Sequence, residues 1–390
     1  MDLNFTPKQE EFRQEIREFL KQELTPDFWA RLSEESDDDS KVSLEFSKKL
    51  GEKGWIGLAW PKEYGGRDLG YIERLIYEEE MTLARAPIGH HHVAERQMGP
   101  SIIRFGTEEQ RSGFLPQIAR GEMSICIGYS ERDAGSDLAA IQCSAEDRGD
   151  DFVLNGQKMW NSAHQTDWMW TSVRTDPEAP KHKGISILLV DLKLPGIEIV
   201  AQPLIDGSRK NIVNFHDTRV SKKYLVGEKN QGWYVLAGNL DYERAGLEKV
   251  NSCLLLFREL VDTARNTTTN GHSLMDDPFV RTELANLSAE IEVGRLLCYR
   301  NAYQMSVGKV PNVEAAMSKC YNSELVQHLA NVGLKVFGMR GTVGPDEQHS
   351  VLGGKLKRLW LRSIADTFAA GPGEIMRTVI ATRGLGLPRK

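Results

Sequence analysis

No stretch of this chain approaches the roughly 18 consecutive apolar residues that a membrane span requires, so a spanning helix is excluded. The opening residues, MDLNFTPKQEEF, are too acidic and polar for a secretory signal, and export by an N-terminal signal is not expected. Cysteine is scarce. Cys126, Cys143, Cys253, Cys298 and Cys320 are an odd set without C-x-x-C spacing, which offers no zinc site and predicts free thiols in a reducing compartment, most simply a bacterial-type cytoplasm. An excess of basic residues is missing too: 49 Lys and Arg face 55 Asp and Glu, giving a net charge of −6 and no footprint for nucleic acid. Neither a G-x-x-x-x-G-K-[ST] loop nor a G-x-G-x-x-G after a strand is present, so any nucleotide cofactor must be held without those glycine cradles.

What remains is a soluble globular composition, 40% hydrophobic and 27% charged, in 390 residues, long enough for two or three domains. Thr6 and Pro7 form an N-cap and first-turn pair, and Phe12, Ile16, Phe19 and Leu24 continue at helical spacing. The acidic run Glu34 to Asp39 reads as a solvated loop. Further helices are expected from Leu44 to Gly54, near Ile72 to Ala84, and after the capping box Thr107-Glu108-Glu109-Gln110. Past Gly121 the period changes to two. Ile125, Ile127 and Tyr129 alternate with Cys126, Gly128 and Ser130, Asn155-Gly156 is a two-residue hairpin signal, and strands are expected over 167–174, 184–192, 197–204 and 212–216. From Gly232 helical periods return, with Asp277-Pro278 capping a long helix, another carrying Met317 to Val336, and Pro372 opening the last. The reading is an α+β chain: an N-terminal helical domain over 1–120, a middle antiparallel β-barrel or sandwich over 121–232, and a C-terminal helical bundle over 233–390.

One stripe carries an unexpected charge. Between Tyr234 and Asn266 the positions Leu236, Leu240, Glu243, Leu247, Val250, Leu254, Phe257 and Val261 follow one helix face, and Glu243 is their one ionisable residue. A carboxylate on an apolar face loses hydration, which raises its pKa toward neutrality and suits a general base; the alternative is a structural Glu–Arg pair. Two segments of the β region carry a second signal. Tyr129-Ser130-Glu131-Arg132-Asp133-Ala134-Gly135-Ser136-Asp137 runs from a strand into a small-residue loop, and Lys158-Met159-Trp160-Asn161-Ser162 sets an aromatic ring beside a hydroxyl.

These two segments resemble the signatures of the acyl-CoA dehydrogenase family, [ST]-E-P-x-A-G-S-D and G-x-K-x-W-[IT]-[ST], and the likeness extends through WPKEYGG, GTEEQ, LVGEKNQGW, LDYER and the closing GLGLPRK. The resemblance implies helices, a β domain and a four-helix bundle, with FAD held at their junction and by a neighbouring subunit. It places Ile127, Tyr129 and Ser130 along the flavin pyrimidine, Trp160 against the isoalloxazine and the Ser162 hydroxyl near N5. It puts Ser136, Asp241 and Arg244 near the CoA thioester arm, and Val336, Phe337 and Gly338 against the partner subunit's FAD. The family's usual Tyr-Glu-Gly-Thr base is replaced by Ala369-Ala370-Gly371-Pro372. The x-E-R form used by members acting on branched or bulky acyl groups is present as Glu243-Arg244, and the backbone N–H at Ala370 keeps the role of enolate donor. Gly371 stands in the flavin segment, where two hydroxyls are lost, and the usual Arg-x-x-Phe-Gly segment is absent between residues 262 and 280.

The expected activity is FAD-dependent dehydrogenation of an acyl-CoA, with an electron-transferring flavoprotein as acceptor and a homo- or hetero-oligomeric assembly. A catalytically silent subunit of a heteromer and a flavin oxidase on the same fold are the competing readings. The region Gly89 to Met98, with three histidines, Glu95 and Arg96, is either an exposed loop or the lining for a polar, ring-derived, branched or dicarboxylic acyl tail. Three adjacent histidines cannot all face one metal from a regular element, so no metal is expected.

Overall fold

A computed structural model describes residues 4–35, 40–244, 246–345 and 347–388, with backbone only over 240–244. Residues 36–39 of the expected acidic loop therefore lie outside the described residues. The chain opens with α1 (Pro7–Glu23), α2 (Pro26–Ser33), α3 (Lys41–Glu52), α4 (Tyr71–Leu83), α5 (Gly89–Val93), α6 (Gly99–Phe105) and α7 (Glu108–Ala119). Both expected N-caps form complete capping boxes, Thr6 with Gln9 and Thr107 with Gln110. Phe12, Ile16 and Phe19 are buried, in a core that also takes Phe46, Leu50, Trp55 and Trp60.

The middle region contains β1 (Ile125–Gly128), β2 (Ser144–Arg148), β3 (Asp151–Asn161), β4 (Trp168–Arg174), β5 (Ile185–Asp191), β6 (Ile197–Pro203), β7 (Arg209–Ser221) and β8 (Leu225–Val226). They form one eight-stranded sheet in the order β6-β7-β3-β2-β4-β5-β8, largely antiparallel, with β1 added to β4 in parallel. Both faces are covered. In β5, Ile187 and Leu189 join the core shared with the N-terminal helices, whereas Leu188 and Val190 join a second core with Phe152, Phe215 and Cys126. The alternation expected in β1 holds: Ile125 and Tyr129 face the first core and Cys126 the second.

Asn155-Gly156 is not a hairpin turn. It lies inside β3, where the register against β7 shifts between Leu154 and Gly156 as in a β-bulge. Asn155 bridges to Asp217 by two 2.9 Å hydrogen bonds, and Gly156 adopts φ +138 with no room for a Cβ, which would stand 2.8 Å from the Cys143 Cα. The reversal between β2 and β3 is made instead at residues 149–150. The other Asn-Gly does form a hairpin. Asn270 (φ +54) and Gly271 (φ +81) join β9 (Thr268–Thr269) to β10 (His272–Ser273), in the segment where the Arg-x-x-Phe-Gly motif is missing.

The bundle follows as α8 (Gly232–Arg244), α9 (Glu248–Asn266), α10 (Pro278–Ser306), α11 (Asn312–Phe337), α12 (Lys355–Phe368) and α13 (Gly373–Val379). Asp277 caps α10 as expected, accepting from the Phe279 N–H at 2.8 Å. The single helix expected over 234–266 is broken between α8 and α9. At Gly246 a Cβ would lie 2.5 Å from Glu78 Oε1 and 2.6 Å from Arg96 Nη1, so only glycine lets the chain pass these buried groups. Glu78 then accepts from the Leu247 N–H at 3.0 Å, satisfying an open amide where α9 begins. The stripe is consequently divided: Leu236 belongs to the first core, and Leu247 and Val250 to the bundle core.

A buried charge cluster joins the N-terminal helices to the bundle. Glu79 on α4, 3% exposed, accepts from Arg13 of α1 and from Arg295 and Tyr299 of α10, each at 2.7 Å. Burial alone would raise the Glu79 carboxyl, but these donors outweigh it and hold it below its ordinary 4.5. Its stabilisation is therefore complete above pH 4.5 and is lost as pH falls through the lowered folded value. Glu79→Gln is expected to lower stability at neutral pH by about 3 kcal/mol, because the buried Arg13 and the half-buried Arg295 lose a charged partner. The gap in thermal-unfolding midpoint between wild type and variant should narrow as pH drops below 4.5; a pH-independent gap would contradict the assignment.

Candidate active site

The two signature segments are joined by one buried cation. Lys158 of β3, 0% exposed, donates to Glu131 Oε1 at 2.6 Å, to the Tyr129 carbonyl at 3.1 Å and to Ser172 Oγ at 3.4 Å. A buried ammonium is tolerated only when paired, so its position fixes the loop that carries Glu131. The other Glu131 oxygen accepts from the Gln142 N–H at 2.6 Å, and the Met159 N–H donates to the Ser130 carbonyl at 2.9 Å. Sequence reasoning quoted Lys158 and Glu131 without assigning them a part. The signal available was one basic and one acidic residue, each inside an otherwise apolar or small-residue segment.

Immediately after this pin the backbone is strained. The β3–β7 register shifts again between Met159 and Asn161, and Trp160 adopts φ +64, uncommon for a bulky residue, with 49% of its surface exposed. Asn161 is buried and its carbonyl accepts from Asn211 at 3.1 Å, which holds the bulge in place. Ser162 is half-buried and begins a short turn. On the neighbouring segment Tyr129 is buried, Ile127 and Ser130 are half-buried, and Ser136 is exposed in the loop beyond. The arrangement is an indole face and a hydroxyl beside a rigid strand end.

A second wall comes from residues 89–98, which are not an exposed loop. They form α5 and then a π-helical turn, Ala94–Met98, packed between β1, α6 and α8, and Glu95, Arg96 and Gln97 are all buried. Glu95 and Arg96 are also not unpaired: Arg74 Nε donates to Glu95 at 3.3 Å, and Arg96 Nη1 lies 3.6 Å from Glu78 and 3.2 Å from His92 Nε2. Both residues border a cavity of about 220 Å³ together with Trp60, Tyr71, Arg74 and Arg104. The histidines diverge. His91 bonds Ser47 and Tyr77, and burial pushes its pKa well below 6.5, whereas His92 approaches Glu248 at 3.5 Å. The His92 hydrogen bond holds the Glu248 carboxyl down at about 2, although 57% of that side chain meets water, which screens the pair. No cluster of three metal-ligating residues occurs among the described residues.

Asp241, Glu243 and Arg244 occupy the last turn of α8; their backbone is helical and their side chains lie outside the described residues. The break that follows is tied to both neighbouring walls. Glu248 reaches His92, and Lys249 Nζ donates to Asp366 Oδ1 of α12 at 2.6 Å. Asp366 lies about one turn before Ala370, so the end of α8 and the turn after α12 are held in one neighbourhood. In that turn Ala370 has φ +56 and Gly371 φ +102, two successive left-handed residues. Val336 and Phe337 are buried in the bundle core, and Gly338 (φ +56) ends α11 exposed. Among the described residues no hydrogen bond or shared core links these three to Trp160, so one chain does not bring them to that group.

Two further residues escaped the sequence reading. Asn239 of α8, 0% exposed, donates through Nδ2 to the Gln97 carbonyl at 3.1 Å and to Ser101 Oγ at 3.2 Å. Its Oδ1 and the Gln97 Oε1 are buried without a partner among the described residues.

Comparison with known proteins matches this architecture throughout. Residues 6–122, 126–215 and 230–385 match the profiles of the N-terminal, middle and C-terminal acyl-CoA dehydrogenase domains. Acyl-CoA dehydrogenase FadE26 of Mycobacterium tuberculosis is 34% identical over 400 residues, covering 100% of this chain and 99% of the relative. Acyl-CoA dehydrogenase IpdE1 of the same organism is 34% identical over 394 residues, 98% of each. Among solved structures, the Tcur3481-Tcur3483 steroid ACAD has a TM-score of 0.89 at 33% identity, and the ChsE4-ChsE5 complex from M. tuberculosis 0.88 at 34%, each covering 100% of both chains. A likeness of this extent, across all three domains in the same order, means that the chain belongs to the acyl-CoA dehydrogenase family, FAD-dependent oxidoreductases acting on CH–CH bonds.

Proposed function

We propose that this enzyme removes hydrogen across the α,β-bond of a bulky, ring-derived, branched or polar acyl-CoA, with Glu243 as the base. The observation that carries the reading is the end of α8 at Arg244, just before the chain is tied to α12. The tie is Lys249 of α9 with Asp366 of α12, about one turn before Ala370, where an alanine stands in place of a carboxylate. The printed name of the solved steroid enzyme supports a bulky substrate, and that of the ChsE4-ChsE5 complex supports assembly with an unlike subunit. A cytoplasmic enzyme that passes electrons to an electron-transferring flavoprotein is the matching cellular reading. All five thiols are free and buried, in keeping with a reducing compartment.

The residues present fit FAD. An indole 49% exposed on a strained bulge has no packing reason within this chain, and it lies beside Ser162 and the strand end fixed by Lys158. When bound, FAD supplies the acceptor for the β-hydride. Ile127, Tyr129, Ser130, Trp160, Ser162 and Gly371 hold and orient it, and Val336, Phe337 and Gly338 serve the cofactor of a partner subunit. Glu243 accepts the α-proton. The backbone N–H of Ala370, set by its left-handed turn, donates to the thioester oxygen as negative charge develops there. Ser136, Asp241 and Arg244 position the thioester arm, while Glu95 and Arg96 give the acyl end a polar boundary.

Three outcomes test this. Glu243→Gln should slow flavin reduction by substrate about 10²- to 10⁴-fold while FAD stays bound; wild-type reduction in stopped flow removes Glu243 from the role. Lys158→Met leaves the Glu131 carboxylate buried without its cation, so FAD affinity measured by fluorescence titration should fall about tenfold or more. Unchanged affinity would show that the pin does not shape the flavin site. Across a panel of acyl-CoAs, kcat/KM should peak on ring-bearing, branched or dicarboxylic thioesters, and a maximum at a straight saturated chain would refute the substrate assignment.

A further inference from the structure

The cavity bordered by Glu95 and Arg96 narrows the substrate further, on the basis of the reading just proposed. Arg74 of α4 forms one wall, and Pro100 and Arg104, at i and i+4 on one face of α6, form another. Trp60 adds a buried aromatic wall seated on Gly99, where any Cβ would fall 1.9 Å from the indole. The cavity borders the end of the helix that carries the proposed base. Arg96 Nη1 is the group that a Cβ on Gly246, two residues past Arg244, would meet at 2.6 Å, and Ser101, beside Pro100, accepts from Asn239 of α8 at 3.2 Å. Its cations are unequally matched. Arg74 donates to Glu95 at 3.3 Å, and Arg96 lies 3.6 Å from Glu78 and 4.0 Å from Glu248. Arg104 has no carboxylate partner among the described residues; its guanidinium lies over the neighbouring Phe105 ring, 4.9 Å from the centroid. A guanidinium stacked in this way keeps its edge N–H groups for a planar anion.

We infer that Arg104 is the recognition point for a carboxylate at the far end of the acyl group, and that the natural substrate is a bulky dicarboxylic acyl-CoA. A carboxylate meets the guanidinium fork with two parallel N–H···O bonds, whereas an ammonium would be repelled by three arginines. A hydrocarbon end would strip water from the ion pairs and replace it with nothing. Glu95 does not oppose the ligand as a bare charge, since Arg74 answers it. Arg104 is exposed and stays hydrated while the cavity is empty, so selection is exerted when substrate enters. The volume of about 220 Å³ has room for a carboxylate and the carbons that carry it. A free carboxylic acid offers the same chemistry, so the experiment separates the two sources.

The test uses FAD-loaded enzyme and two thioesters of one shape: cyclohexylpropanoyl-CoA bearing a ring carboxylate, and the same compound bearing a ring carboxamide. Wild type should favour the carboxylate in kcat/KM by about tenfold or more, the margin of charged over neutral hydrogen bonds. Arg104→Gln should remove that preference, chiefly through KM, and Arg104→Lys, which keeps the charge and loses the fork, should retain part of it. The position is exposed, so folding is not at stake in either variant. Equilibrium binding of the two thioesters to the Glu243→Gln variant should show the same order without turnover. Equal kcat/KM for the pair in wild type, or an equal fall on both in Arg104→Gln, overturns the inference and leaves the dehydrogenase reading standing. Cyclohexanecarboxylate that still binds, by calorimetry, to the Glu243→Gln variant saturated with the carboxylate thioester assigns the cavity to a free acid and likewise overturns it. Reduction of the flavin by neither thioester overturns both.

Discussion

Three consecutive glutamates on α4 hold the molecule together. Glu78, Glu79 and Glu80 are each no more than 5% exposed, and because successive helix residues point about 100° apart, together they reach α1, α10 and the start of α9. Glu80 accepts from Arg13 and Arg17 of α1, Glu79 from Arg13 and from Arg295 and Tyr299 of α10, and Glu78 from the first amide of α9. Burying three carboxylates is tolerable only with this density of donors, and taking away any one donor would leave charge stranded in a dry site. The N-terminal helices, the bundle and the break between α8 and α9 are thereby referenced to one helix.

The break matters because it separates two jobs that a continuous helix would combine. At the break, any residue larger than Gly246 would press a Cβ onto Glu78 and Arg96. With α8 ended there, α9 starts afresh in the bundle core with Leu247 and Val250, and the proposed base stands in a turn of its own. Two of the non-glycine residues with left-handed backbone, Trp160 and Ala370, stand in the segments assigned to the site. Such residues persist where surrounding structure over-determines them, and Lys158 with Asn161 on one side and Asp366 on the other provide that restraint.

Much of the fold was legible because it rests on local rules. The capping boxes, the period change near Gly121 and the start of α10 at Pro278 each depend on a few adjacent residues. Asn155-Gly156 and the 234–266 helix misled for the opposite reason. Whether Asn-Gly turns a chain or bulges within a strand is decided by a partner strand, here through Asp217 and Cys143, and the helix break is decided by Glu78 from a distant element. The glutamate run was invisible as structure, since three adjacent acids read as a solvated face until their arginines are placed. The site was legible in its signature segments and not in the pair that pins them, because Lys158 and Glu131 gain meaning only when the fold sets one against the other.

These features fit together on physical grounds. On the proposed assignment of the base to the end of α8, the turn after α12 carries only a methyl group at Ala370, which would open volume where the family's usual carboxylate stands. Volume alone would admit any large acyl group, including plain hydrocarbon. Polar groups border that side of the molecule: Glu95 and Arg96, buried and paired with Arg74 and Glu78, line a cavity with Trp60 and Arg104, where burying an apolar group against them would cost hydration. On the proposed reading, substrate size is set by what the turn after α12 lacks, and chemical character by the paired charges that the π-helical turn presents.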